Sequence, residues 1–193
     1  FDGIQNIQNL LQQKKGGILL TAHIGNFNLA KHFFDETNNH HIVNLVVTDL
    51  EHEEIKDYLD SVTGKSAIKL IVLKEDLSHI FEMNRALQNN ELLVFAADRY
   101  TENAKTFTQD FMEKPVKVPQ GPFKLAARNE IPVLFVHIMR EKNFHYHFYA
   151  RPYNPEKNDA KNLLKAYLEN LETMLKKYPH QWYNYYDYWN DFS

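Results

Sequence analysis

Four short apolar runs divide the first half of this chain: ILLTA (18–22), HIVNLVVTD (41–49), AIKLIVL (67–73) and ELLVFAAD (91–98). Strands without polar alternation are buried on both faces, so runs of this kind call for a largely parallel sheet covered by helices. Helical patterns fill the gaps. IQNIQNLLQQK (4–14) places Ile4, Ile7, Leu10 and Leu11 on one face and stops at Gly16 and Gly17. NFNLAKHFFDET (26–37) sets Phe27, Ala30, Phe33 and Phe34 at helical spacing. EEIKDYLDSVT (53–63) and DLSHIFEMNRALQN (76–89) follow, the latter capped by Asp76. The expected fold is α/β, with a central, mostly parallel (mixed) sheet flanked by helices.

The second half has a different rhythm. Residues 101–121 are a long polar connection whose PVKV (115–118) predicts one short edge strand. PFKLAARNE (122–130) predicts a brief helix, and residues 131–153 a hairpin turning at Glu141 to Asn143. Residues 158–177 predict an amphipathic helix with Leu163, Leu164, Tyr167, Leu171, Met174 and Leu175 inward. Near the end Trp182, Tyr185, Tyr186 and Trp189 fall at helical spacing. That band of rings suits either a bilayer interface or closure of the core, and core packing is the favoured reading.

No repeat, linker or composition shift divides the 193 residues, so one domain spanning 1–193 is expected. The first residue is Phe1 rather than Met, and the domain is read as the C-terminal part of a longer chain. A net charge of -3 with scattered Lys and Arg argues against a nucleic-acid partner. The absence of cysteine excludes disulfides and thiolate metal sites. His145 and His147 share a strand face without a third ligand, so no metal is expected. No apolar run reaches the about 20 residues of a spanning helix, and no signal peptide is visible.

In open α/β sheets, sites form beyond the carboxyl ends of the strands. His23, Asp49 and the Asp98-Arg99 pair fall there. Gly25 follows His23 closely, and helix-start amides opened by it suit an oxyanion or phosphate. A neutral histidine beside such donors suits proton abstraction from a hydroxyl or amine. From pattern alone, a histidine at a strand end is more often a hydrogen-bonded structural residue. No strand is followed by Gly-x-Gly-x-x-Gly or a Walker loop, which weighs against a nucleotide-binding domain.

TAHIGNFNLA (21–30) resembles the first block of the lysophospholipid and lipid A acyltransferase superfamily: a His, four residues, then an acid. The bacterial lauroyl/myristoyl acyltransferase-like branch often writes it His-Ile-Gly-Asn-Trp-Glu. Residues 92–138 are similar to that family's Asp-Gln or Asp-Arg turn, Phe-containing loop, Gly-Pro segment and Leu-Ala helix. KYPHQWYNYYDYWN (177–190) resembles its closing Pro-Glu-Gln-Trp block. The resemblance implies a glycerolipid-acyltransferase-like fold and transfer of a fatty acyl group to a hydroxyl or amine of a lipid or lipid precursor. The implied donor is acyl carrier protein or acyl-coenzyme A, with no bound cofactor. The implied place is peripheral, at the cytoplasmic face of the bacterial inner membrane.

Carried over by position, His23 falls on the family's general base and Asn28 on its acid partner, where this sequence departs from the pattern. Three readings fit: activity with Asn28, compensation by another acid such as Asp98, or a catalytically degenerate lipid- or carrier-binding module. An engineered change at Asn28 is a fourth. Gly25 and Asn26 are candidate substrate contacts through the helix-start amides, and the resemblance adds Arg99, Arg128 and Gly121. A solvated arginine paired with an acid competes for both arginines, and Gly121 suits shaping the loop that opens the short helix. Phe27, Phe107 and Phe111 are candidates for an apolar acyl groove. Lys114, Lys117 and Lys124 suit anionic headgroups or an acidic carrier, although such trios are more often a solvated face.

Overall fold

The computed structural model describes residues 1–26, 29, 42–48, 68–101, 103–129, 131–155, 159–185 and 187–189. Most of the helix expected at 26–37, all of that expected at 53–63, and Asp49 lie outside these residues. The chain opens with α1 (Ile4–Gln12) and β1 (Gly17–Thr21), followed by β2 (Val43–Val47) and β3 (Ile68–Val72). Then come α2 (Ser78–Gln88), β4 (Leu92–Ala96), β5 (Thr106–Phe111), β6 (Lys114–Pro119) and α3 (Gly121–Asn129). Finally β7 (Val133–Arg140), β8 (Tyr146–Tyr153) and α4 (Ala160–Lys177) precede a 3-10 turn at Pro179–Gln181.

Six strands form the main sheet in the order β3-β2-β4-β1-β7-β8. All neighbours run parallel except the β7–β8 hairpin. This is the mixed α/β sheet that the continuous apolar runs call for. The two-residue period of a strand sorts its side chains between two faces. Ile18, Leu20, Leu93, Phe95 and Phe135 join one core cluster with α2, α3, α4 and the β5–β6 hairpin. Leu19, Val94, Leu134 and Val136 join a second cluster with Ile7, Leu10 and Leu11 of α1. Helix α4 is tied to the first face by buried Leu163, Leu164, Tyr167, Leu171, Met174 and Leu175, the residues whose spacing faces them inward.

Two elements differ from the expectation. Residues 106–119 form a complete antiparallel hairpin rather than one edge strand. Its turn, Met112 and Glu113, has φ of 50° and 67° without a Gly or Asn to announce it. The closing aromatic segment is not a helical band among the described residues. After Pro179–Gln181, Trp182 is extended and Tyr188 and Trp189 lie in a turn, with Tyr188 buried and Tyr185 exposed.

Candidate active site

Strands β1 and β4 are parallel neighbours paired from Gly17↔Leu92 to Thr21↔Ala96. His23 stands two residues beyond Thr21, and Asp98 two residues beyond Ala96. Register alone therefore carries both to the same carboxyl end of the sheet, and the side chains close the gap. His23 Nδ1 lies 2.8 Å from Asp98 Oδ1. The His23 backbone N–H donates to both carboxylate oxygens at 3.1 Å, and Trp182 Nε1–H donates to Oδ2 at 3.3 Å. Each of these partners is a donor, which satisfies a charge otherwise costly to bury. Asp98 is 1% exposed while the His23 side chain is 24% exposed. With Nδ1–H given to Asp98, Nε2 is the basic nitrogen.

The closing segment packs directly onto this pair. Tyr183 N–H donates to the His23 carbonyl at 2.8 Å, and Gly25 N–H donates to the Gln181 carbonyl at 2.8 Å. Ile24 and Trp182 form an antiparallel bridge. The Gln181 side chain reaches both the N–H and the carbonyl of Arg140 at the end of β7, each at 2.8 Å. Tyr188 donates its hydroxyl to the Asp98 carbonyl at 2.9 Å. The Trp182 ring meets Phe111 and Tyr188 edge-on, with centroids 6.0 and 5.1 Å apart. These are the T-shaped contacts that aromatic quadrupoles favour.

Two buried polar groups, Tyr167 of α4 and His137 of β7, join α4 to the sheet. Tyr167 donates to the Thr21 carbonyl at 2.9 Å, and burial holds its phenol protonated well above the usual range. His137 Nε2 lies 2.9 Å from Asn170 Oδ1, and burial pushes its pKa down to about 4, so the ring is neutral.

Several expected contacts fall elsewhere. The amides of Gly25 and Asn26 do not open toward a ligand. Gly25 N–H is bound to Gln181, and Asn26 N–H donates to the Ile138 carbonyl at 2.7 Å. Gly25 has φ of 70°, and a Cβ there would stand 2.1 Å from the Ile138 carbonyl oxygen. Its glycine serves close approach to β7 rather than anion binding. Phe111 is 1% exposed and forms a base beneath Trp182, Tyr188 and Trp189 instead of a groove wall. Phe107 packs against the core with Lys124 Nζ 5.4 Å from its ring centre.

Arg99 does lie at the site end of the sheet, its guanidinium donating to the Tyr183 carbonyl. Gly121 opens α3 with no atom within 4 Å of where a Cβ would stand. Arg128 sits exposed in the last turn of α3. That turn leads to Pro132, which is bonded to Ile18 at the start of β1, the opposite end of the sheet from His23. The structure does not bring Arg128 to the pair. Phe27 and Asn28 lie outside the described residues.

The sequence reading singled out His23 and Asp98 but not the clamp on them. Trp182 stood out in the aromatic band and in the closing block similar to the family's Pro-Glu-Gln-Trp, without a role assigned to it. Tyr188 had no signal of its own, because its role depends on a turn that spacing does not reveal. A search of curated proteins finds no match to this sequence. The model of the family described as bacterial lipid A biosynthesis acyltransferase matches residues 1–190, and the chain belongs to that family.

Proposed function

We propose that this protein transfers a fatty acyl group from a thioester donor, acyl carrier protein or coenzyme A, to a hydroxyl or amine of a lipid or lipid precursor. One observation carries the reading: an accessible imidazole whose Nδ1 is held by a buried carboxylate. Such an arrangement suits a general base. His23 Nε2 takes the proton of the acceptor as its oxygen or nitrogen bonds to the thioester carbonyl carbon. The tetrahedral intermediate then collapses by breaking the carbon–sulfur bond, and the departing thiolate takes the proton back from the imidazolium. Atoms and electrons balance without a further reactant.

Asp98 steadies the imidazolium in this scheme, which supports the reading that an acid elsewhere in the chain compensates for Asn28. We assign the developing oxyanion to Arg99, beside Asp98. A guanidinium carries five N–H donors, so its bond to the Tyr183 carbonyl does not exhaust it, whereas Gly25 and Asn26 have each given their single N–H within the protein. A bilayer-resident acceptor places the protein peripherally at the cytoplasmic face of the inner membrane. The test is acyl transfer from acyl carrier protein and from acyl-coenzyme A to a lipid extract, with native protein and His23→Ala. The expected result is transfer by native protein and a loss of at least about 10³-fold in the variant. Equal rates would refute the assignment.

A further inference from the structure

We propose that Trp182 is a positioning residue for the His23–Asp98 pair: its indole N–H anchors Asp98 Oδ2, which keeps Oδ1 on the imidazole and sets the basicity of His23. The inference rests on the reading of His23 as general base for its kinetic consequence. Its effect on the imidazole can be measured without any turnover.

The geometry supplies the reason. The His23 backbone N–H lies 3.1 Å from both carboxylate oxygens, so this donor cannot choose between the two faces of Asp98. The side-chain partners break that symmetry, with the imidazole on Oδ1 at 2.8 Å and the indole on Oδ2 at 3.3 Å. The indole direction is fixed by packing on Phe111, Tyr188 and Trp189, and its backbone by the bridge to Ile24. A donor on a carboxylate also draws charge from it and so weakens its pull on a neighbouring imidazolium. Removing the N–H leaves a less firmly oriented carboxylate with more of its charge directed at the imidazole.

The decisive variant replaces Trp182 with 3-benzothienylalanine, which keeps the bicyclic shape and exchanges the N–H for sulfur. The His23 imidazole is titrated by NMR, its signal assigned by loss in His23→Gln. The expected midpoint rises by about half a pH unit, kcat falls about 3- to 10-fold and KM stays within about twofold. In unmodified protein, the Trp182 indole N–H signal, one of two, is expected to titrate with the same midpoint as His23. An unmoved His23 midpoint in the variant, or an indole signal indifferent to His23, overturns the proposal. A shifted midpoint in a protein that transfers no acyl group upholds the positioning role and refutes the acyltransferase reading instead.

Discussion

Asp98→Asn exchanges one carboxylate oxygen for an NH2 group and discriminates sharply between a working pair and a structural contact. The amide keeps the size of the carboxylate but brings that NH2 into a ring of donors. Nδ1 of His23, the His23 backbone N–H and the Trp182 indole all point protons at residue 98. Whichever way the new amide turns, its NH2 faces a donor. If it faces the imidazole, His23 is forced into the tautomer with the proton on Nε2, where no acceptor proton can be taken. If it faces Trp182, Nδ1 keeps an acceptor, but a neutral one.

The lost charge sets the magnitude. A full charge pair with centres about 4 Å apart is worth about 4 kcal/mol at an effective dielectric of 20. That converts to about 10³ in rate, and the exposed edge of His23 lowers the expectation to about 10²- to 10³-fold. The equivalent change in serine proteases costs about 10⁴ in kcat. Steady-state acyl transfer should show the loss in kcat with KM nearly unchanged, since Asp98 is buried behind the imidazole. The acid limb of the pH profile should move down as the imidazolium loses its partner. Combined with His23→Ala, Asp98→Asn should add almost nothing. A rate within about threefold of native in correctly folded Asp98→Asn would refute the charge argument.

Two further outcomes follow from the same contacts. Because His23 Nδ1 already faces Asp98, Asn28→Glu is expected to leave acyl transfer within about threefold of native, and a large gain would show that the pair lacks its acid. His137 contributes a pH-dependent stability whose sign follows from its lowered pKa of about 4. The unfolded chain, titrating near 6.5, binds the proton first, so this stability is complete above about pH 6.5 and is lost as pH falls toward 4, a change of about 3 kcal/mol. Denaturant titrations of native protein and His137→Gln at pH 7 and 4.5 check it: the variant should lose markedly less on acidification.

The continuous apolar runs made the parallel sheet legible, since buried strands admit little else. Asp98 was visible as a polar residue at a strand end, but its partnership with His23 depends on β4 lying beside β1, which strand spacing does not specify. The first strand of the β5–β6 hairpin was hidden because Met112 and Glu113 adopt positive φ without turn-forming residues. Gly25 was read as opening amides to a ligand because a glycine's permissive backbone serves close packing equally well. Trp182 was obscured by a helical spacing that the described segment does not adopt, and Tyr188 fell outside that spacing.

The register of β1 has a consequence for how the molecule is made. This strand is zipped on one side to Leu92–Ala96 and on the other to Val133–Phe135, both far along the chain. Such pairings bear their loop-closure entropy before contacts repay it, and they form slowly. Helices α1 and α4 can acquire local structure early, yet His23 and Asp98 stay apart until β1 and β4 align. Recovery of the imidazole–carboxylate contact during refolding therefore reports the central sheet, and lags behind the helical signal.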